Sequence, residues 1–472
     1  MPGDLTPETA LPATVLAELV GLLGDRVSTA QALRDRHGQD ESYHRPYPPD
    51  AVVFPLTTGE VAAIVKCCAA HRVPVIPYGV GTSLEGNIAA LRGGVCIDMG
   101  RMNAVLEVNA EDMDVRVQAG VTRKQLNAWI KDTGLFFPVD PGADATIGGM
   151  TATRASGTTA VRYGTMRENV LGLTVVLADG RIVRTGTRAR KSSAGYDLTR
   201  LFTGSEGTLG VITEVQLRLY GVPQQVSSAV CPFATLAGAV DTVIETIQSG
   251  IPVARIELLD EVQMRGVNLY AKFDYPAQPT LFFEFHGTEA WATEQATLVG
   301  DLARAHGGTD FRWATSQEER TRLWQARHDT LYAGMALRPG ARAIITDVCV
   351  PISRLAACIT ETRRDIDASG LVVPIVGHVG DGNFHMLILV NPDDDAEIAR
   401  GWALNERTVN RALAMGGTCT GEHGVGYGKM DFVQAEHGEA MDVMRAIKQA
   451  LDPLNIMNPG KIVRWDDRPG VA

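Results

Sequence analysis

Residues 77–87 read P-Y-G-V-G-T-S-L-E-G-N and directly follow a predicted β-strand, R-V-P-V-I-P (72–77). Three glycines and the hydroxyls of Thr82 and Ser83 make a loop whose backbone N–H groups could cradle a pyrophosphate. The spacing is neither a Rossmann fingerprint nor a P-loop, since Leu84 stands where the third Rossmann glycine would fall. Taken alone, the loop is as easily an ordinary turn.

Two further glycine-rich segments favour the binding interpretation. They are D-P-G-A-D-A-T-I-G-G-M-T-A-T-R-A-S-G (140–157) and G-S-E-G-T-L-G-V-I-T-E (204–214), and each enters or leaves a predicted strand. Glycine makes up 49 of 472 residues, about 10% against roughly 7% in average proteins. Three such segments could enclose a large, flat dinucleotide that needs close backbone contact.

Composition excludes several classes of protein. The net charge of −11 disfavours a nucleic-acid partner. No apolar run reaches the roughly 20 residues that span a bilayer. No basic residue precedes Arg26, which argues against a secretory or transit peptide, and the seven cysteines form no C-x-x-C pair. These features predict a cytoplasmic protein, with peripheral contact to a membrane left open.

The pattern of elements predicts two α/β halves, with the second beginning near Val222. In the first half, Thr57 and Thr122 stand at capping-box spacing before predicted helices. In the second, the sequence predicts one polar helix around 316–338 and one strand at 343–350. No internal repeat or low-complexity tract is present.

Two histidines, His378 and His385, flank Gly380-Asp381-Gly382, a turn signal between two β-rich runs. In a hairpin, residues on either side of such a turn lie opposite one another on one face. A hydrogen-bonded pair at the end of a sheet is the ordinary alternative. Glu422-His423, in a glycine-framed loop, adds a carboxylate and a third imidazole, a donor set that suits a divalent transition metal. The sequence alone leaves their convergence open.

The three glycine segments occur in order with G-H-V-G-D-G-N-F-H (377–385), T-C-T-G-E-H-G-V-G (418–426) and N-P-G-K (458–461). This series resembles the FAD-linked D-lactate dehydrogenases of the vanillyl-alcohol oxidase type. Glycolate oxidase FAD subunits and D-2-hydroxyglutarate dehydrogenases are near relatives in that superfamily. The resemblance covers roughly residues 45–463.

The resemblance implies an α+β fold with a two-subdomain FAD-binding domain at 1–221 and an α/β substrate (cap) domain at 222–420. It implies that the segment 421–472 returns to the FAD domain. No histidine is placed to argue for covalent attachment, so the FAD is expected to be non-covalent. The residues expected to contact it are Pro77, Gly79, Gly81, Thr82, Ser83, Pro141, Gly142, Gly148, Gly149, Ser156, Gly157, Glu206, Gly210, Ile212 and Asn458.

The same resemblance implies a metal and an acid–base group. His378, His385 and Glu422 would hold one divalent ion, for which Mn, Zn and Fe are all suitable. His423 would take the hydroxyl proton of a 2-hydroxy acid while hydride passes to the flavin N5, with the metal assisting substrate binding. Arg327 is the candidate for the substrate carboxylate, an exposed helix arginine being the ordinary alternative.

Substrate and partners are predicted more broadly. The apolar positions Ile345, Met386, Leu387 and Ile388 would leave a distal carboxylate without partners, which favours D-lactate, oxidised to pyruvate, over D-2-hydroxyglutarate; glycolate also stays an alternative. Electrons would pass to a separate quinone, cytochrome or flavoprotein. The basic run at 181–191 reads as solvated surface, with contact to an acceptor or membrane as the alternative. A homodimer stays open.

Two other functions compete with this interpretation. One is a redox-neutral alkyl transfer enzyme of the same superfamily, which uses its flavin as a covalent carrier. The other is an FAD-binding subunit of a multi-subunit oxidase that depends on partners for turnover. The complete set of His378, His385, Glu422 and His423 argues against an inactive binding subunit.

Overall fold

A computed structural model describes residues 11–314 and 316–465, apart from the side chains of Arg322, Ala326 and His328. The chain divides into two compact units, and each is described by itself. Unit 1 consists of the described residues of Met1–Ala155, Thr165–Gly221 and Glu422–Ala472; unit 2 consists of those of Ser156–Gly164 and Val222–Gly421. The segment 156–164, expected in the first domain, therefore groups with unit 2.

Unit 1 contains a four-stranded sheet of order β1-β2-β4-β3, a five-stranded sheet of order β5-β6-β10-β8-β9 and the pair β11-β7. The strands are β1 (Val27–Ser28), β2 (Ala51–Val53), β3 (Val75–Tyr78), β4 (Val95–Asp98), β5 (Val105–Asn109), β6 (Asp114–Gln118), β7 (Leu135–Phe136), β8 (Val170–Val176), β9 (Ile182–Arg184), β10 (Val211–Arg218) and β11 (Tyr220–Gly221). Strands β2, β4 and β3 run parallel, and the five-stranded sheet is antiparallel.

Helices of unit 1 cover these sheets with their apolar sides. They are Ala13–Leu23, Gln31–His37, Thr58–Ala70, Arg123–Ile130, Ile147–Thr153, Met166–Asn169, Leu198–Phe202, Met430–His437 and Ala440–Leu451. One core lies between β2–β4 and the helices at 13–23 and 58–70. The C-terminal segment joins this sheet, since Met457 forms a parallel bridge with Val75.

Both predicted helix starts in unit 1 are confirmed. The Thr57 side chain accepts a hydrogen bond from Glu60 N, and Thr122 forms a full capping box with Gln125. Such a cap contributes about 1 kcal/mol by satisfying an N–H group that the helix itself leaves unbonded.

Glu60 also pairs with Arg26 through two hydrogen bonds of 2.7 and 2.6 Å. The hydrogen bond from Arg26 is the main reason that the pKa of Glu60 falls to about 2. A lowered carboxyl pKa stabilises the fold above the ordinary value near 4.5, and this stabilisation disappears as the pH falls toward 2. We expect Glu60→Gln to cost about 1 kcal/mol of unfolding free energy at pH 7.

Urea unfolding of the two proteins at pH 7 and pH 3.5 measures this effect. The difference between wild type and Glu60→Gln should shrink at the lower pH. Glu111→Gln, in the turn between β5 and β6, is the control and should match wild type at both values. A difference that stays constant with pH would contradict the ion-pair explanation.

Unit 2 is built on one large sheet of order β15-β12-β14-β13-β18-β19-β16, with β17 also paired to β19. Its strands are β12 (Gln225–Pro232), β13 (Arg255–Leu259), β14 (Thr280–Gly287), β15 (Arg312–Ala314), β16 (Arg342–Ile345), β17 (Val348–Cys349), β18 (Ile375–Gly377) and β19 (Asn383–Val390). Every pairing in it is antiparallel.

Consecutive residues of β14 and β19 are buried, so both faces of this sheet are covered. The helices of unit 2 are Ala160–Tyr163, Leu236–Gln248, Glu261–Ala271, Glu289–Ala305, Gln317–His328, Thr330–Ala336, Leu355–Ser369 and Asp395–Ala414. One face carries an apolar cluster that includes Leu259, Phe282, Val376, Leu387 and Leu389.

Two elements of unit 2 differ from the prediction. The single helix expected at 316–338 is two helices that meet at Asp329, which ends the first and precedes the second. The strand expected at 343–350 is interrupted at Thr346-Asp347, because the Asp347 carboxylate is buried and accepts hydrogen bonds from Asn383 and Thr420. Within the described residues, no helix is both long and apolar enough to cross a bilayer.

Candidate active site

The predicted cofactor loops of unit 1 approach one another closely at glycines. A Cβ on Gly79 would overlap Thr146 Oγ1, and one on Gly207 would lie 2.9 Å from Pro77 Cγ. Gly81 and Gly207 have φ angles of +75° and +74°, which favour glycine. Glycine at these positions therefore lets the three loops pack closely against neighbouring segments of the unit.

Other predicted residues support these loops by packing. Gly148 and Gly149 open the helix Ile147–Thr153, with Gly149 N donating to Thr146 Oγ1 and Gly148 N donating to Ala119 O. Gly210 lies against Val175 of β8, and Ile212 is buried in β10. Packing and hydrogen bonds within the protein therefore determine the positions of these residues.

Glu206 forms hydrogen bonds between loops, a role that the sequence did not predict. Its buried carboxylate accepts hydrogen bonds from Val425 N (2.6 Å), Gly426 N (2.8 Å) and Asn87 Nδ2 (2.7 Å). Burial raises its pKa despite these donors. Asn458 Nδ2 donates to the main-chain oxygens of Asn87 and Glu206. Glu206 and Asn458 therefore tie the loop after His423 and the C-terminal segment to the loop at 204–210.

Two hydroxyls near these loops differ in their partners. Ser83 Oγ donates to Asp40 Oδ2 at 3.0 Å, and Gly86 N donates to the same oxygen, so Asp40 holds the first loop. Ser205 Oγ is buried and has no hydrogen-bond partner among the residues that the structure describes. An orphaned hydroxyl beside a glycine loop is the kind of group that a cofactor would satisfy.

The remaining predicted cofactor residues differ in their exposure and in the unit to which they belong. Thr82 and Pro141 are half-buried, while Gly142 is exposed with φ +86° and open space at its Cβ. Ser156 and Gly157 belong to unit 2.

Gly79 provides a direct test of the loop contact. We expect Gly79→Ala to weaken FAD binding about tenfold, or about 1.4 kcal/mol, because the new methyl displaces Thr146 Oγ1 from its capping contact. Fluorescence titration of the apoprotein with FAD measures the affinity. Gly21→Ala is the control, since nothing lies within 4 Å of its added Cβ. Equal FAD affinity in both variants would contradict the role of this contact.

In unit 2, His378 and His385 lie together, with ring centroids 5.4 Å apart and planes at 82°. His385 is paired with Val376 and not with His378, which lies in the turn after β18. His385 Nδ1 is 3.0 Å from the Thr346 carbonyl oxygen, and His378 Nδ1 is 2.8 Å from Glu257 Oε1. Because both partners can only accept, Nδ1 carries the proton in each ring and Nε2 carries the lone pair. That is the tautomer that a metal ligand needs.

Arg327 is buried and held by two side chains. Its Nε donates to Glu257 Oε2 at 2.6 Å, and its Nη1 donates to Thr330 Oγ1 at 3.1 Å. Its Nη2 lies 3.5 Å from His378 Nδ1. Burial opposes the ionisation of Glu257, but the charge of Arg327 and the hydrogen bonds from His378 and Arg327 lower the pKa of Glu257. The exposed-arginine alternative is wrong, since Arg327 is 8% exposed.

Asp347 is fully buried and lies beside His385. Its Oδ1 is 3.6 Å from His385 Nδ1 and accepts a hydrogen bond from Asn383 Nδ2 at 2.8 Å. Its Oδ2 accepts from Thr420 Oγ1 at 2.8 Å. Asp347 therefore connects the strand of His385 to the segment that ends at Gly421.

Glu422 and His423 belong to unit 1. His423 Nδ1 lies 3.7 Å from Glu85 Oε1, and its Nε2 lies 3.8 Å from Glu422 Oε1. Glu85 is also 2.8 Å from Lys429 Nζ. The imidazole thus lies between two carboxylates, one of which is paired with Lys429.

The apolar residues proposed to restrict the substrate divide between two faces of β19. Leu387 and its partner Ile345 share the face of His385. Met386 and Ile388 point the other way, where Ile388 packs near Gly401 and Met386 contacts Thr408. Only Leu387 and Ile345 therefore remain candidates for the substrate side.

The sequence analysis did not identify three acidic residues that lie beside the predicted site residues. They are Glu257, Glu85 and Asp347. Glu257 lies in R-I-E-L-L (255–259), where alternating charged and apolar residues resemble a half-solvated strand. Only the sheet order, which places β13 between β14 and β18, shows that it is buried. For the other two, only the tertiary contacts reveal the role.

Known proteins resemble this chain along most of its length. Residues 49–186 match the family described as "FAD binding domain", and residues 222–462 match "FAD linked oxidases, C-terminal domain". A Danio rerio protein named "Probable D-lactate dehydrogenase, mitochondrial" is 53% identical over 97% of this chain and 93% of its own length. An Arabidopsis thaliana protein, D-lactate dehydrogenase (cytochrome), mitochondrial, is 49% identical over 96% of this chain and 80% of its own.

A solved structure shows the fold. The 4-ethylphenol oxidase from Gulosibacter chungangensis superposes with a TM-score of 0.80 at 20% identity, covering 98% of this chain and 99% of that one. At this identity the likeness extends to the fold alone.

The cytoplasmic location expected from the sequence is contradicted by these names, because both relatives are mitochondrial proteins. The expectation rested on the charge pattern before Arg26. Receptors recognise targeting signals, and this recognition does not depend on the packed fold. The composition of the folded chain therefore did not reveal the location.

Proposed function

The chain belongs to the family of FAD-linked oxidases, and we infer that it is an FAD-dependent dehydrogenase that oxidises D-lactate to pyruvate. Its fold class, an α+β chain with an FAD-binding domain of the vanillyl-alcohol oxidase type, is the one expected from the sequence. The observation that carries the proposal is the similarity to two D-lactate dehydrogenases along nearly the whole chain.

FAD suits the residues of unit 1. Loops that exclude a Cβ at Gly79 and Gly207, together with the orphaned hydroxyl of Ser205, support a flat ligand held by backbone contacts. When bound, FAD supplies the acceptor for the hydride of the substrate. We propose that the other predicted residues, from Pro77 to Asn458, either contact the same cofactor or support the loops that do, and that the attachment is non-covalent.

The donor chemistry also suits a divalent metal. His378 and His385 carry their lone pairs on Nε2, as their Nδ1 contacts require. A Cβ on Gly421, the residue before Glu422, would overlap Asn383 Nδ2, and Asn383 is two positions from His385. We propose that His378, His385 and Glu422 hold Mn²⁺, Zn²⁺ or Fe²⁺. When bound, such an ion supplies a Lewis acid for the hydroxy acid.

Arg327 and His423 would act on the substrate directly. Within the described part of the chain, Glu257 and Thr330 use two of the five N–H groups of Arg327, so donors on its Nη atoms are available to a carboxylate. We propose that His423 takes the hydroxyl proton as hydride leaves Cα, since a neutral imidazole next to the proposed metal ligand Glu422 is a suitable general base.

The sheet face of unit 2 supports a small or apolar substrate side chain. Val376, the cross-strand partner of His385, and Leu387, two positions along β19, share this face with it and belong to an apolar cluster. A distal carboxylate placed there would lose its hydration without gaining a partner. D-lactate therefore fits better than D-2-hydroxyglutarate.

Reduced FAD must pass its electrons to a separate acceptor. The Arabidopsis relative is named for a cytochrome, and we propose a cytochrome as the partner of this chain as well.

Steady-state turnover with a dye acceptor tests the substrate and the metal together. We expect oxidation of D-lactate to exceed that of glycolate and of D-2-hydroxyglutarate in kcat/KM. Treatment with a chelator should abolish turnover while FAD stays bound, and one of Mn²⁺, Zn²⁺ or Fe²⁺ should restore it. Preference for D-2-hydroxyglutarate would contradict the substrate, and full activity after chelation would contradict the metal.

A further inference from the structure

One buried carboxylate of unit 2, Glu257, contacts both groups that the proposed reaction uses there. It lies on β13 and is 1% exposed. Its Oε2 accepts from Arg327 Nε at 2.6 Å, while its Oε1 and Oε2 lie 2.8 and 3.0 Å from His378 Nδ1. Glu257 therefore connects Arg327 and His378 through one carboxylate.

The register of the sheet explains this position. Leu258 pairs with Gly377, so Glu257 stands beside the residue that follows, His378, on the same face. The helix Gln317–His328 carries Arg327 over this face. Strand, turn and helix thus meet at one carboxylate, and Arg327 neutralises its buried charge.

We propose that Glu257 is a positioning residue of the active site, which fixes His378 in its metal-binding tautomer and holds Arg327 for the substrate carboxylate. A carboxylate on the outer nitrogen of a ligating histidine orients the ring and raises the basicity of the other nitrogen. This inference rests on the metal and substrate roles proposed above for His378 and Arg327.

A glutamine at this position would remove the negative charge and replace one of the two acceptor oxygens with an NH2 group, which can only donate and would face a donor of His378 or Arg327. Either His378 or Arg327 would then lose its partner. For a carboxylate in this position, loss typically weakens metal binding by about 10- to 100-fold.

The chain offers a matched control on the adjacent strand. Glu284 of β14 is also buried, is 2.8 Å from His286 Nε2 and lies 3.4 Å from Arg255 Nε. It therefore resembles Glu257 in burial and in its pairing with one histidine and one arginine. Neither of these partners belongs to the proposed site.

The experiment measures Zn²⁺ affinity of the FAD-loaded protein by competition with a fluorescent chelator. We expect Glu257→Gln to weaken Zn²⁺ binding by about 10- to 100-fold and to raise the KM for D-lactate. Glu284→Gln should leave Zn²⁺ affinity within about twofold of wild type, whatever it costs in stability. Unchanged affinity in Glu257→Gln, or equal losses in both variants, would overturn the proposal.

Failure of the proposed function is a distinct result. Wild-type protein that D-lactate reduces but that binds no Zn²⁺ would overturn this inference and leave the dehydrogenase standing. A second result is also possible, in which D-lactate does not reduce the protein but Glu257→Gln alone weakens Zn²⁺ binding. It would support the inference and contradict D-lactate as the substrate.

Should Glu257→Gln fail to fold, the unaltered protein still tests the tautomer. NMR of metal-free protein labelled with ¹⁵N-histidine, with His378→Asn for assignment, distinguishes the two nitrogens. We expect the proton of His378 on Nδ1. A proton on Nε2 would overturn the proposal.

Discussion

Glu422→Gln should abolish D-lactate oxidation while the flavin stays bound. A metal ion contributes several kcal/mol of charge stabilisation, and each 1.36 kcal/mol is tenfold in rate, so we expect kcat to fall by about 10³-fold or more. An amide is a poor ligand for a divalent transition metal in place of a carboxylate. Stopped-flow reduction of the flavin and metal analysis of the same samples measure both effects.

The chain contains a matched control for this variant. The tripeptide Glu-His-Gly occurs at 422–424 and again at 436–438, where Glu436 Oε1 lies 3.7 Å from His437 Nε2. Glu436→Gln should keep full activity and metal content. His423→Asn should lose turnover yet keep the metal, because its proposed role is proton transfer. Retained activity in Glu422→Gln would remove the metal hypothesis.

Arg327→Lys should lower kcat/KM for D-lactate by about 100-fold, or about 2.7 kcal/mol, mainly through KM. Lysine keeps the charge beside Glu257 but lacks the planar donors that match a carboxylate. It also cannot reach both Glu257 and Thr330 as the guanidinium does. Steady-state kinetics at several D-lactate concentrations separate KM from kcat.

Arg320, on the same helix, provides the control. Its Nη1 donates to the Val226 carbonyl oxygen at 2.8 Å, away from the proposed substrate groups. Arg320→Lys should therefore match wild type in KM. Equal changes in the two variants would indicate that Arg327 acts through stability of the helix and not through the substrate.

The glycine loops were predictable because segments whose backbones approach each other closely need glycine, and clusters of glycine are visible in the sequence. A Cβ on Gly79 would overlap Thr146, and a Cβ on Gly207 would lie too close to Pro77. Both positions therefore require glycine. The hydrogen bonds of Glu206 were not predictable. It accepts from the N–H groups of Val425 and Gly426, which lie more than 200 positions away along the chain.

Buried charge in unit 2 was also hidden from the sequence. Glu257 alternates with apolar residues as a solvated strand residue would, and only the sheet order places it at the centre between β14 and β18. The break at Asp329 divides a helix that polar periodicity alone makes continuous. In both cases tertiary contacts override a local pattern.

The visible spectrum of the purified protein under anaerobic conditions, before and after D-lactate, tests the central claim most directly. We predict an oxidised-flavin spectrum that D-lactate bleaches and L-lactate leaves unchanged, with the flavin staying reduced while no acceptor is present. A redox-neutral transfer enzyme would return to the oxidised spectrum. A flavin that stays oxidised in the presence of D-lactate would contradict the account.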